Sequence, residues 1–284
     1  MKLVTFLHQG QEHTGVLTAD ERHIRPLPYA SMQALIESPW EQVRTAAEEA
    51  GDSLPLSDVT LLAPIPHPRQ DVICLGINYQ DHAEESARYK GGVFEKEHSV
   101  PIYFSKRTAE AVAPGGFIES HPGLVERLDY EAELAVIIGK PAKNVPTERA
   151  AEYVFGYTVL NDVSARVLQT AHKQWYFGKS LDGFTPMGPW ITTADEVSFP
   201  PALNISSRVN GELRQNSNTR LLITGVAEII AGLSAGITLL PGTIIATGTP
   251  AGVGLGFDPP KFLKAGDVVE CSIEGIGALR NTVR

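Results

Sequence analysis

The clearest period in the chain is a two-residue alternation over residues 128–139. There Tyr130, Ala132, Leu134, Val136 and Ile138 share one face and Glu131, Glu133, Ala135 and Ile137 the other. That period predicts a β-strand. Shorter apolar or alternating stretches at 3–7, 14–17, 71–77, 101–105, 154–160, 190–193, 204–209, 243–247 and 268–273 predict further strands, with Asn210-Gly211 as a tight hairpin turn. Helical patterning falls at 31–50, closed by Gly51, at 78–89, at a short piece over 164–172 and at an apolar stretch over 223–234. Strands are frequent and do not alternate regularly with helices, so the pattern predicts a strand-rich α+β fold and not a doubly wound sheet. No internal repeat or low-complexity tract interrupts it.

The run Ala63-Pro64-Ile65-Pro66-His67-Pro68 removes backbone donors at alternate positions and reads as a linker. It predicts a small N-terminal domain over 1–66 and a second domain over 67–284. Residues 91–123, rich in Gly, Pro and aromatic residues, have the look of a mobile cover over a site.

Composition narrows the class. A chain of 284 residues with 43% hydrophobic positions has ample material for a core. Its 24 basic and 33 acidic residues leave a net charge of -9, which disfavours nucleic acid as a partner. Cys74 and Cys271 are too few for a disulfide framework and lack zinc-site spacing, which fits a reducing, cytoplasmic setting. The apolar start is broken by His8, Gln9 and Gln11 before it reaches signal-peptide length, and no run of about 20 apolar residues is present to span a membrane. The Asn204-Ile205-Ser206 sequon then carries no expectation of glycosylation.

Candidate chemistry starts from Glu131 and Glu133. Two apart in a strand, they project together from an otherwise apolar run, where two like charges are costly without something positive between them. Asp162 closes a later apolar strand, and three carboxylates make a hard-oxygen set suited to Mg, Mn or Ca. A solvated strand face paired with surface cations is the competing reading of Glu-x-Glu. His82 and Glu85 are three apart and share a helix face, where a carboxylate can orient an imidazole as general base. A surface His beside a Glu looks the same at this level. Lys106 and Arg107 offer positive charge to an anionic substrate, or form a solvated pair. Tyr79, Tyr89 and Phe94 either cover a substrate tail or anchor the loop. Gly252, Gly254 and Gly256 superficially suggest a phosphate loop, but Asp258-Pro259-Pro260 stands where a helix would have to begin. His172, Lys173 and Trp175 read as structural, and no Ser sits in a Gly-x-Ser-x-Gly elbow.

In order from Asp71 to the C-terminus, the motifs are as follows: Gly76-Ile77-Asn78-Tyr79 leading to His82 and Glu85; Asp129-Tyr130-Glu131-Ala132-Glu133-Leu134; Asn161-Asp162-Val163-Ser164-Ala165-Arg166; Gly178-Lys179-Ser180; Val209-Asn210-Gly211-Glu212; and Thr247-Gly248-Thr249-Pro250 with Gly252-Val253-Gly254. This series resembles the fumarylacetoacetate hydrolase family, in particular its longer bacterial members and the acylpyruvate hydrolase and oxaloacetate decarboxylase group. The resemblance implies a mixed, roll or barrel-like strand-rich fold behind a small N-terminal domain, and a homodimer. It implies Mg or Mn held by Glu131, Glu133 and Asp162, with His82 and Glu85 as a pair on a segment that orders over substrate. It further implies that Lys179 stabilises a developing oxyanion, and that Arg166, Gln169 and Thr249 contact carboxylate or keto oxygens. The activity expected is metal-dependent cleavage of a carbon-carbon bond in a small 2-oxo or 2,4-dioxo acid, with hydrolysis favoured. The alternatives are a lyase (oxaloacetate decarboxylation, or hydration or isomerisation of a keto acid) and a non-catalytic module that binds metal and keto acid.

Overall fold

The alternation at 132–138 becomes the strand Ala132–Ile138, buried along its whole length. Its two faces feed different cores: Ala132, Leu134, Val136 and Ile138 join one apolar cluster, and Ala135 and Ile137 another. A computed structural model, describing residues 1–89 and 100–284, places this strand inside an 11-stranded sheet. The sheet runs Leu54–Pro55, His23–Leu27, Gln11–Leu17, Lys2–His8, Met187–Thr193, Val154–Asn161, Ala132–Ile138, Ile244–Ala246, Val72–Gly76, Ile102–Lys106, with Thr60–Leu61 paired to Lys2–His8. Lys2–His8 pairs antiparallel with Met187–Thr193, so the residues before the proline run share a sheet with those after it.

A second sheet orders Glu212–Asn218, Asn204–Val209, Val268–Ile273, Gly277–Val283 and Phe117–Ile118. Its hairpin turns at Asn210 and Gly211, both at positive φ (51° and 83°), as the Asn-Gly signal requires. Leu128–Asp129 pairs with Ser164–Ala165 as a small third sheet. Among the described residues the sheets are open in order, so the fold is strand-rich α+β without a closed barrel. No helix of the described residues is long and apolar enough to cross a membrane.

Several expected elements change at their ends. The single helix over 31–50 is two, Met32–Glu37 and Trp40–Glu49, because Pro39 lacks the N–H and clashes with the preceding turn. Ser31 caps the first by accepting the Ala34 N–H at 3.2 Å. The strand over 128–139 breaks at Tyr130-Glu131 into two pieces. The helix over 164–172 is Arg166–Ala171, preceded by strand residues, and the apolar helix is Val226–Gly236. The helix over 78–89 begins at Gln80.

Candidate active site

Register brings the three carboxylates together. Ala132 pairs with Asn161 across adjacent strands, the Glu131 N–H donates to Asn161 Oδ1 at 3.0 Å, and the Asp162 N–H donates to the Glu131 carbonyl at 2.9 Å. Glu131, Glu133 and Asp162 thereby place one oxygen each within 4.8 Å of the others, at 5%, 1% and 0% exposure. The solvated-face reading of Glu-x-Glu is therefore set aside.

The positive charge that such a cluster demands comes from three side chains. Lys179 Nζ lies 2.7 Å from Glu131 Oε2 and 2.6 Å from Asp162 Oδ2. Arg166 Nη1 lies 2.6 Å from Glu131 Oε1, and Lys106 Nζ 2.8 Å from Asp162 Oδ1. Glu133 has no ion-pair partner among the described residues; its Oε2 accepts the Gly248 N–H at 2.7 Å. Gly248 presents that donor at φ +100°, where a Cβ would stand 2.7 Å from Asn78 Cβ, so the position calls for glycine. Burial, reinforced by the charges of Asp162 and Glu131, pushes the Glu133 carboxyl well above the usual range. For Glu131 burial pushes the same way, but Lys179 and Arg166 outweigh it and hold the group at about 2.

The donor set fits a hard divalent cation. It is all carboxylate oxygen, one member lacks a countercharge, and Asp162 Oδ1 sits by Lys106 without a well-aligned hydrogen bond.

The helix Gln80–Tyr89 carries His82 and Glu85, each 8% exposed, which line one cavity with Glu131 and Glu133. His82 Nδ1 is 3.0 Å from Glu85 Oε2, which leaves Nε2 as the proton-accepting atom. The turn into this helix is pinned by Asn78. Its Nδ2 donates to the carbonyls of Thr247 (2.8 Å) and Thr224 (3.0 Å), and its Oδ1 accepts the Thr224 N–H (2.8 Å). Just before it, Ile77 holds φ 54°, a conformation costing a β-branched residue on the order of 1–3 kcal/mol.

The glycine string at 252–256 binds carboxylates after all, those of its own chain. Gly252 N–H donates to Glu85 Oε1 at 3.1 Å, while Gly254 and Leu255 N–H donate to Asp129 Oδ1 and Oδ2 at 2.7 and 2.9 Å. Successive amides cup an anion in this way wherever side chains leave room. A Cβ at Gly256 would fall 1.8 Å from Glu85 Oε1, and one at Gly254 2.6 Å from Asp129 Oδ1. Asp129, fully buried, in turn accepts Arg166 Nε at 2.8 Å. Sequence reading assigned Asp129 no role, although it opens the motif that carries Glu131 and Glu133.

One cavity is lined by His82, Glu85, Glu131, Glu133, Arg166, Gln169, Lys179 and Thr249, with an apolar wall that includes Ile77, Phe104 and Trp175. Among the described residues Arg166 Nη2 is buried without a hydrogen-bond partner, and Gln169 accepts Arg166 Nη1 at 3.1 Å. The Thr249 hydroxyl accepts from Gln215 Nε2 at 2.7 Å and donates to the Ala132 carbonyl at 2.9 Å. Its proton is thus engaged inside the protein, while the residue itself lines the cavity.

Lys106 and Tyr79 are corrections. Lys106 is fully buried behind the carboxylates and also donates to the Val163 carbonyl at 3.1 Å and to that of Lys179. It lies outside the cavity lining and balances Asp162, while Arg107 is exposed. Burial pulls its ammonium below the usual lysine range despite Asp162. Tyr79 is fully buried in the larger apolar core and is likewise absent from the lining. Phe94 lies outside the described residues, as does the Tyr89 side chain. Trp175, read as structural from sequence, is part of the cavity wall.

Residues 71–284 match the family described as Fumarylacetoacetate (FAA) hydrolase C-terminal, and residues 1–64 the one described as Rv2993c-like, N-terminal. The chain is 46% identical over 228 residues to the oxaloacetate tautomerase YisK of Bacillus subtilis, covering 80% of this chain and 74% of that protein. The structure resembles that of a fumarylacetoacetate hydrolase from Exiguobacterium antarcticum, with a TM-score of 0.87 and 41% identity over 100% of this chain and 99% of that one. It also resembles maleylpyruvate hydrolase from Sphingobium sp. SYK-6, solved with manganese (II) and pyruvate, with a TM-score of 0.80 and 32% identity over 100% and 98%. With three-quarters of its length matched by the family and the acidic triad in place, this chain belongs to the fumarylacetoacetate hydrolase family.

Proposed function

We propose that the protein is a divalent-metal-dependent enzyme, using Mg or Mn, that hydrolyses a carbon-carbon bond in a small 2,4-dioxo acid. The observation that carries this reading is that Glu131 and Glu133 of the acidic triad, Glu133 without a countercharge among the described residues, line one cavity with the His82–Glu85 pair. Glu131, Glu133 and Asp162 would hold the cation. When bound, it withdraws charge from the oxygens of a chelating keto acid and lowers the cost of negative charge developing there.

The chain's own groups supply the rest. Glu85, fixed by Gly252, holds Nδ1 of His82 so that Nε2 takes a proton from water. The hydroxide adds to the distal carbonyl, the bond between that carbon and its neighbour breaks, and the electron pair passes to the keto oxygen of the departing 2-oxo acid. The proton on His82 then passes to the former methylene carbon of the departing 2-oxo acid, which leaves as its keto form, while the carbon that took the hydroxide leaves as a carboxylic acid. Nη2 of Arg166, without a partner among the described residues, is a buried donor suited to the substrate carboxylate. Lys179, held between Glu131 and Asp162, keeps one N–H for the oxygen on which charge develops.

A second reading, keto-enol interconversion of oxaloacetate, is supported by the identity to the Bacillus protein. It uses the same base on a C–H and needs no water. Incubation with acetylpyruvate and with oxaloacetate, each with Mn, Mg or excess chelator, separates the readings. Metal-dependent conversion of acetylpyruvate to acetate and pyruvate is the expected result. Faster decay of the oxaloacetate enol alone would replace hydrolysis by the second reading, carbon dioxide release from oxaloacetate would move the protein to the decarboxylases, and silence with both would overturn the proposal.

A further inference from the structure

Trp175 lines the cavity, and two contacts define its place. A Cβ on Gly76 would stand 2.2 Å from Trp175 Cζ3 and 2.7 Å from Cη2, so the indole occupies the room left by the missing side chain at the end of the strand Val72–Gly76. The Phe104 ring meets the indole edge-on, with centroids 5.3 Å apart at 69°. Phe104 also has Lys179 Nζ 5.3 Å from its centroid. Lys179, Phe104 and Trp175 therefore form a graded wall from charged to apolar. Strand register gives its direction: Phe104 pairs with Cys74, which is fully buried, whereas Gly76 pairs with Ile102, which is 40% exposed. Trp175 is followed by Tyr176 and Phe177, each 42% exposed.

Resting on the reading of this cavity as a 2-oxo acid site, we propose that Trp175 is a specificity-determining residue that limits the length of substrate accepted, selecting short 2-oxo acids over those with long acyl or aromatic tails. The anionic oxygens of such a substrate belong at the end that holds the triad, Arg166 and Lys179, where they meet positive charge. The remainder of the molecule then extends along Phe104 toward the indole. A planar, two-ring side chain packed directly on a glycine backbone leaves no room to extend an alkyl chain between them. Small pockets discriminate chain length by steric exclusion in this manner, each methylene changing selectivity by about tenfold or more.

The test is calorimetric titration of the Mn-loaded protein with pyruvate, 2-oxobutanoate and 2-oxooctanoate, in the wild type, Trp175→Ala and Trp175→Phe. In the wild type, affinity should fall from 2-oxobutanoate to 2-oxooctanoate. The Trp175→Ala variant should shift the ratio of the two affinities toward the longer acid by at least about tenfold, and Trp175→Phe by an intermediate amount. Thermal unfolding shows whether each variant is folded, and if the alanine variant is not, the phenylalanine variant decides. An unchanged ratio in a folded variant overturns the proposal while leaving the reading of the site intact. Failure of the wild type to bind any of the three acids overturns that reading, and this inference with it.

Discussion

Gly252 and Glu85 are joined by a backbone N–H donated to Oε1 at 3.1 Å, and through Glu85 the glycine string sets the orientation of His82. The base is therefore positioned from a loop remote in sequence. Gly256→Ala, whose Cβ would fall 1.8 Å from Glu85 Oε1, should dislodge the carboxylate. Turnover should drop by about 10²–10⁴, the usual range for a general base, and manganese affinity should stay near wild type. Parallel kinetics and metal titration check this, and equal losses in both would contradict the separate role.

Glu133 should make metal binding pH-dependent. Burial, Asp162 and Glu131 raise its folded-state pKa, so the metal-free protein holds a proton there that the cation must displace. Manganese affinity should rise with pH and binding should release protons, measurable by calorimetry in buffers of different ionisation enthalpy. The sign for stability follows from the same raised pKa. The folded state binds more protons than the unfolded state above the ordinary glutamate pKa, so metal-free stability falls as pH rises through that value and levels off above the folded pKa. Glu133→Gln should remove this component of the slope, raise the metal-free Tm near neutral pH, and lose the Tm gain that manganese gives the wild type.

Lys106 should matter for stability and not for substrate charge. Removing one partner of a buried ion pair leaves the other uncompensated, so Lys106→Ala should cost about 3–5 kcal/mol in urea unfolding. A variant of unchanged stability with a raised KM would restore it to the substrate side.

Asp129 anchors Arg166 through Nε at 2.8 Å, so Asp129→Asn should loosen the guanidinium, leaving it held through Nη1 by Glu131 and Gln169. We expect KM for a carboxylate substrate to rise by about tenfold or more with a smaller change in kcat. Steady-state kinetics settle it; an unaltered KM would show that Arg166 needs no such anchor.

How legible the site was depended on how local its signals are. Glu131 and Glu133 announced themselves because a two-residue period fixes the face of every side chain in a strand, and His82 and Glu85 because three residues span one helical turn. Asp162 joined them as a carboxylate closing a later apolar strand, and the motif resemblance added Arg166, Gln169 and Lys179. Lys106 misled because Arg107 beside it suggests a solvated pair, whereas its partner Asp162 lies on a distant segment. Asp129 was silent for the same reason, its donors being the amides of Gly254 and Leu255. Trp175 carries no periodicity, and only the glycine opposite it, far back in the chain, gives its ring a seat. In the fold, the break at Pro39 was readable but masked by good helix formers on both sides. The pairing of Lys2–His8 with Met187–Thr193 has no local signature at all.

The central claim is that turnover depends on a cation held by Glu131, Glu133 and Asp162. Its most direct test is the rate of acetylpyruvate cleavage by chelator-stripped protein as manganese is added back, in the wild type and in Asp162→Asn. The rate should be near zero without metal, with saturable recovery in the wild type and no recovery in the variant at the same concentrations. Cleavage that persists in excess chelator, or full recovery in Asp162→Asn, would contradict it.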